Sequence, residues 1–218
     1  MNDPSAAFAV YYELARNLYQ TGPSHDFSHI ERVFRLALRI GRAESADLRL
    51  LGTAALFHDL GREEEAQSDG EICHAAASAA RARQILAEHG ETPQFIAAVA
   101  RCIARHRYRN DEKPVTLEEK CLFDADKLDS LGAVGVARAY LWLGERGGTV
   151  HVPQVLWEQT DFESRSPADD SLQREWHIKL RHIEEKLFTG TAREIARRRA
   201  ATMENFLDTL EREVNGEE

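Results

Sequence analysis

The chain has 218 residues, 43% apolar and 30% charged, the shares of an ordinary globular protein, and its three Cys (Cys73, Cys102, Cys121) form no CxxC pair, which argues against a disulfide framework or a thiolate zinc site. The longest strictly apolar stretch, residues 95–100, falls far short of the roughly 20 that a membrane helix needs. Met1-Asn2-Asp3-Pro4 lacks a basic start, so the expectation is a cytoplasmic protein with no membrane partner. A net charge of −9 argues against binding a nucleic acid polymer, while leaving room for one small phosphorylated ligand at local cations.

Almost every segment reads with a period near 3.6 and no internal repeat, so the expected fold is all-α, a single helical bundle of about nine helices. Asp3-Pro4 can start a first helix to about Gln20, with Phe8, Tyr11, Tyr12, Ala15 and Leu18 on one side. A second, from about Asp26, carries Ile30, Val33, Phe34, Ala37 and Ile40 and stops at Gly41. Ser45 is the expected cap of a third, with Leu48, Leu51, Ala55 and Leu56 inward and Gly61 as its terminal glycine. The acidic run 62–70 reads as a loop. A fourth helix over about 71–88 closes at His89-Gly90, and Thr92-Pro93 starts a fifth that reaches about Arg107. Thr116-x-x-Glu119 is a capping-box pattern for a sixth, containing Asp124 and Asp126. Gly132 and Gly135 then lead toward Trp142. Residues 147–170 read as a long loop or flap, and two helices, about 171–188 and 192–213, end the chain without a clear domain boundary.

Among nine His, four chemistry-bearing residues stand out together: His29, the adjacent pair His58-Asp59, and Asp126. Two imidazoles and two carboxylates suit a divalent ion such as Mn, Fe, Co, Ni or Zn and leave positions for water and substrate. His58 and Asp59 are consecutive, about 100° apart on a helix, so both reach one ion only at the helix end near Gly61.

The strings His25-Asp26-Phe27-Ser28-His29-Ile30-Glu31-Arg32-Val33, Ala54-Ala55-Leu56-Phe57-His58-Asp59-Leu60-Gly61 and Asp124-Ala125-Asp126-Lys127-Leu128-Asp129 resemble the HD-domain metal-dependent phosphohydrolases, in particular their small stand-alone bacterial members. The resemblance covers about residues 24–135. It implies a helical phosphohydrolase holding one divalent ion through His29, His58, Asp59 and Asp126, with manganese first and Fe, Co, Ni, Mg or Zn as alternatives. In such a site the ion lowers the pKa of a water that attacks phosphorus, and nearby cations meet the developing charge. Arg62, where many members carry Lys, and Lys127 are the candidates for that contact.

The order His29, His58, Asp59, His74, His106, Asp126 also resembles HD proteins that hold two metals. The one-metal members imply instead that His74 and His106 touch the substrate phosphate, and a structural role for both is the third reading. Chain Arg107-Tyr108-Arg109 lacks the His-His and Gly-Tyr-Pro signature of the cyclic-di-nucleotide branch. The implied substrate is a small phosphorylated metabolite, a nucleotide first, attacked by a nucleoside triphosphate pyrophosphohydrolase or a nucleotide phosphatase. A two-metal dinucleoside polyphosphate hydrolase and a non-catalytic nucleotide-binding sensor are the alternatives, and the oligomeric state stays open. His25 reads as a helix cap, and His89, His151, His177 and His182 as solvent or packing residues. Glu63, Glu64 and Glu65 read as solvated, though one could orient the attacking water. The Cys side chains read as small apolar groups, and Trp142, Trp157 and Trp176 as core, with Trp157 able to cover a ligand from the flap.

Overall fold

The computed structural model describes residues 8–19, 27–107, 113–153 and 170–217. Asp3-Pro4, Gln20, His25, Trp157 and residues 154–169 of the expected flap lie outside these. Among the described residues the chain is all-α, and no helix is long and apolar enough to cross a membrane. The chain divides into two compact units, the first comprising Met1–Asp126 with Phe188–Ala192 and the second Lys127–Leu187 with Arg193–Glu218.

In the first unit α1 (Ala9–Leu18) precedes α2 (Phe27–Glu44) and α3 (Leu48–Phe57). The apolar positions read from the sequence are the buried ones in α2, where Ile30, Val33, Phe34, Ala37 and Ile40 all face inward. Phe8, Tyr11 and Tyr12 pack edge-on against Phe34 and Phe57, whereas Leu18 stays exposed. Two expected boundaries differ. Gly41 does not stop α2: a Cβ there would stand 2.5 Å from a Leu51 methyl, so this glycine lets α3 approach closely. Ser45 does not cap α3, because it takes a left-handed φ of 65° in the intervening turn, and Asp47 caps instead by accepting the Leu50 N–H at 3.0 Å.

α3 is the most deeply placed helix, buried at every position from 51 to 57, and it packs against α2 and α6. A helix apolar all round belongs in a protein interior. The acidic run is not a loop but begins with α4 (Arg62–Gln67), whose first turn holds Glu63, Glu64 and Glu65. Carboxylates are favoured there by the helix dipole, an effect that the residues' polarity concealed. α5 (His74–Glu88) ends at left-handed Gly90, and α6 (Pro93–Ala104) is capped by Thr92, as expected.

α7 (Leu117–Leu128) opens with the expected capping box: Glu119 N–H donates to Thr116 Oγ1 at 3.3 Å, and the Glu119 carboxylate accepts the Thr116 N–H at 3.3 Å. Glu119 does more than cap. Only 1% exposed, it also accepts from the Val115 N–H at 2.7 Å, Arg101 Nε at 3.0 Å and Arg105 Nη1 at 3.1 Å. One carboxylate thus ties the end of α6 to the start of α7. Asp124, also buried, accepts from Phe188 N–H, Thr189 N–H and Thr189 Oγ1 at 2.9, 2.8 and 2.7 Å.

In the second unit α8 (Gly132–Glu145) follows left-handed Gly132. The expected helix over 171–188 is broken into α9 (Leu172–Ile178), a 3-10 turn at Leu180–His182, and α10 (Ile183–Lys186). It leaves helical geometry at Lys179 and is extended by Leu187, after which the N–H groups of 188 and 189 serve Asp124. α11 (Gly190–Val214) closes the chain. Trp142 and Trp176 are half-buried rather than core, and Arg146 lies over the Trp142 ring at 4.3 Å. His151 pairs with Glu211 at 2.7 Å. Cys102 and Cys121 are buried, as expected of small apolar groups, whereas Cys73, just before α5, is only half-buried.

Burial works to raise the Glu119 carboxyl, but the N–H groups of Val115 and Thr116 with Arg105 and Arg101 outweigh it and hold the pKa below the usual value. A depressed carboxyl pKa stabilises the fold above its unfolded value and loses that contribution as pH falls through the folded one. Glu119→Gln should therefore cost about 1–3 kcal/mol at pH 7, and the gap in urea midpoint between variant and wild type should close below about pH 4. A gap that persists in acid would show that shape rather than charge holds the joint.

Candidate metal centre

The apolar run of α3 stops at His58, so the next two side chains emerge into protein rather than water. His58 is fully buried, and its Nδ1 donates to the Ala55 carbonyl at 2.8 Å. A carbonyl only accepts, so His58 Nε2 keeps its lone pair. Asp59, 3% exposed, lies in the turn beyond, and its N–H donates to the Tyr19 hydroxyl at 3.2 Å. Arg81 Nη1 donates to the Leu60 carbonyl at 2.6 Å and the Gly61 N–H to Ser78 Oγ at 2.8 Å, fastening this turn to α5.

Gly61 has φ −91°, so it is not the left-handed helix end read from the sequence. It is required by proximity instead: a Cβ would stand 2.6 Å from the His74 carbonyl oxygen and 2.8 Å from the Ser78 nitrogen. That close approach brings His74, the first residue of α5, beside Asp59.

His29, from the first turn of α2, places Nε2 3.5 Å from Asp59 Oδ2 and 3.6 Å from Asp126 Oδ1. His58 Nε2 stands 3.7 and 3.9 Å from the same two oxygens. Donors that share an ion at about 2.1 Å lie roughly 3.0–3.4 Å from one another, so the four fit a divalent ion with adjustments of a few tenths of an ångström. On the other side of the same carboxylate, Asp59 Oδ1 is 3.4 Å from His74 Nε2 and 3.5 Å from His106 Nε2, and those nitrogens are 3.2 Å apart. His106 Nδ1 donates to the Ile103 carbonyl at 2.7 Å, which turns its Nε2 toward Asp59. Either triad, His29–His58–Asp59 or Asp59–His74–His106, could hold a metal. Buried His58 Nε2 and Asp59 Oδ1 have no hydrogen-bond partner, which is unusual for interior polar atoms and suits a cation.

A family model for the HD domain matches residues 26–131. The uncharacterized protein YpgQ of Bacillus subtilis is 31% identical over 197 residues, spanning 88% of this chain and 85% of YpgQ. This chain belongs to the HD-domain family. The crystal structure of YpgQ in complex with ADP superposes with a TM-score of 0.73 at 28% identity, covering 94% of this chain and 98% of YpgQ. A predicted HD superfamily hydrolase from an uncultured Thermotogales bacterium gives a TM-score of 0.66 at 28% identity over 94% and 91% of the two chains. The HD protein described here is accordingly an all-α metal-dependent hydrolase.

Of the residues read from the sequence, His29, His58, Asp59, Arg62, His74, His106 and Asp126 converge in the first unit of this HD protein. Arg62 opens α4 and donates from Nε to Asp59 Oδ2 at 2.9 Å. Lys127, half-buried in the last turn of α7, follows Asp126 but belongs to the second unit. Sequence reasoning missed three participants. Glu65 Oε2 lies 2.7 Å from His74 Nδ1, Arg107 Nη1 pairs with Glu65 Oε1, and Tyr19 accepts from Asp59. Glu65 sits three residues after Arg62, a spacing that places both on one helix face and could have marked it. Tyr19 had no such signal.

Burial pushes the His58 imidazole down to about 4 and the His74 imidazole down to about 3, in each case against the opposing pull of Asp59. Burial would raise Asp59 itself, but His58, His106, His29 and Arg62 outweigh it and hold the carboxyl well below its usual range. In the unfolded chain both imidazoles take up protons below about pH 6.5. The unfolded state then binds more protons than the folded one, so stability falls with pH across that window. With EDTA present, the urea midpoint should drop between pH 6.5 and about 4, and less so in His74→Gln. A midpoint flat over this range would contradict neutral buried imidazoles.

Proposed function

We propose that this HD protein hydrolyses a phosphoester or phosphoanhydride bond of a small phosphorylated metabolite in the cytoplasm, a nucleotide first, acting as a nucleoside triphosphate pyrophosphohydrolase or a nucleotide phosphatase. One divalent ion, manganese first, is held by His29, His58, Asp59 and Asp126. The observation that carries this reading is the convergence of two imidazole nitrogens and two carboxylate oxygens at 3.5–3.9 Å, in an interior where His58 Nε2 has no hydrogen-bond partner. The ADP bound by YpgQ supports a nucleotide.

Bound there, the ion supplies a water of lowered pKa and a Lewis acid for a phosphate oxygen. The rest falls to the chain. His58 and Asp59 are fixed in place by Ala55 and Tyr19. Arg62, 30% exposed, uses Nε on Asp59 and Nη1 on Glu65 at 3.4 Å, so Nη2 is its group for equatorial phosphate charge. Lys127 is the second candidate cation by its place beside Asp126. A specific observation favours a second reading: His74 Nε2 and His106 Nε2 stand 3.2 Å apart and 3.4–3.5 Å from Asp59 Oδ1, and the Nε2 of a neutral His74 can ligate a cation but gives no hydrogen to a phosphate oxygen. A second ion on Asp59 Oδ1, His74 and His106, as in a two-metal hydrolase of dinucleoside polyphosphates, follows from that polarity.

Phosphate and pyrophosphate release should be measured with metal-stripped protein, with and without added Mn, over a panel of nucleotides and phosphorylated metabolites. The expected result is Mn-dependent release by the wild type and none by His58→Ala, which also loses bound Mn. Nucleotide binding without turnover across the panel would replace the hydrolase reading with the sensor. Metal analysis separates the ion counts: two ions per chain, one of them lost in His74→Ala, selects the second reading, whereas a single ion retained in that variant removes it. Arg62→Ala should lower kcat/KM by an amount equivalent to about 1–3 kcal/mol, and an unchanged value would return Arg62 to a surface role.

A further inference from the structure

The side chain of His74 is held from behind. Its Nδ1 faces Glu65 Oε2 at 2.7 Å, while Glu65 Oε1 is gripped by Arg107 Nη1. Arg107 directly follows His106 in the turn after α6, so the turn that delivers His106 to the centre also delivers the cation that anchors Glu65. Glu65 and Arg62 both come from α4, one reaching His74 and the other Asp59.

Arg107 Nη1 also lies 2.8 Å from His74 Nδ1, so carboxylate and guanidinium compete for one ring nitrogen. The chemistry of the two groups decides between them. A carboxylate has no hydrogen to give; were Nδ1 bare, its lone pair would face those of Glu65 at 2.7 Å. With the hydrogen on Nδ1, Glu65 Oε2 accepts from His74 and, at 3.4 Å, from Arg62 Nη1, and Arg107 satisfies its own donors on the other carboxylate oxygen.

We propose that Glu65 is a positioning residue for the hydrolysis. It takes the Nδ1 hydrogen of His74, fixes that tautomer and ring orientation, and so keeps the Nε2 lone pair for a cation beside Asp59 and His106, with Arg107 holding Glu65 in register. This rests on the metal-dependent hydrolase reading above and adds a residue to it. A carboxylate behind an imidazole raises the basicity of the far nitrogen, and losing such a partner typically lowers metal affinity or activity about 10–100-fold.

The direct test is the long-range proton–nitrogen spectrum of histidine-labelled wild-type protein, with the His74 signals identified by their loss in His74→Gln. The expected state is the Nδ1–H tautomer; an Nε2–H tautomer would mean that Arg107 rather than Glu65 serves Nδ1, and would overturn the proposal. This measurement needs neither turnover nor a folded Glu65 variant, so a failure of the hydrolase reading, seen as wild-type protein inert with Mn across substrates, stays distinguishable from a failure here. In the active enzyme Glu65→Gln should lower kcat about 10–100-fold, with KM moving far less. In a His74→Ala background the same change should cost nothing further. Wild-type kcat in Glu65→Gln, or a loss that simply adds to that of His74→Ala, would reduce Glu65 to a surface ion pair.

Discussion

A carboxylate buried at the end of the most buried helix is the constraint around which the first unit is arranged. Asp59 cannot be hydrated, and an isolated interior charge is untenable. Each of its neighbours answers that demand in a different way. Arg62 supplies charge to Oδ2 and Tyr19 takes the backbone N–H, while four imidazole rings surround the group with nitrogens at 3.4–3.7 Å. The two oxygens face different histidine pairs, so a single side chain couples the α2–α3 side of the centre to the α5–α6 side.

The scaffold brings these groups together by close approach rather than by loops of special conformation. Gly41 lets α3 lie against α2, and Gly61 lets the turn after α3 lie against the first turn of α5. A methyl group at either position would meet atoms at about 2.5 Å, well inside van der Waals contact. Glu119 then sets the other half of the frame, joining the helix that ends near His106 to the helix that carries Asp126. The geometry of the centre thus depends on two glycines and a buried carboxylate, none of which offers a side-chain ligand atom to it.

Much of this was legible in the sequence, and the limits have physical causes. The all-α class, the inward face of α2 and the Thr92 and Thr116 caps followed from periodicity and spacing, because each is local, whereas His29, His58, Asp59 and Asp126 stood out by their ligand chemistry and by the resemblance to HD-domain proteins. The roles of Gly41 and Gly61 were misread because a glycine needed for proximity looks like a glycine needed for a left-handed turn. Three aspartates within six residues met three fates: Asp124 anchors residues 188 and 189, Asp126 faces His29, and Asp129 pairs with Arg138 at 2.8 Å. Only tertiary contacts separate them. Glu65 was hidden among three consecutive glutamates for the same reason, since Glu64 beside it turns toward Arg81.

The charge balance of the centre gives a physical reason for a metal requirement in a protein of net charge −9. With the imidazoles of His58 and His74 neutral, the charged groups in contact are the carboxylates of Asp59, Asp126 and Glu65 and the guanidinium groups of Arg62 and Arg107. Among those five groups the carboxylates outnumber the guanidinium groups by one, a balance that favours a cation. One divalent ion would offset that excess, so the arrangement takes a cation before an anion. The low proton affinity of the rings reinforces this order: imidazoles that stay neutral down to about pH 4 keep their lone pairs for a metal instead of surrendering them to protons. Burial, which makes Asp59 hard to accommodate, is therefore also what reserves the centre for a cation.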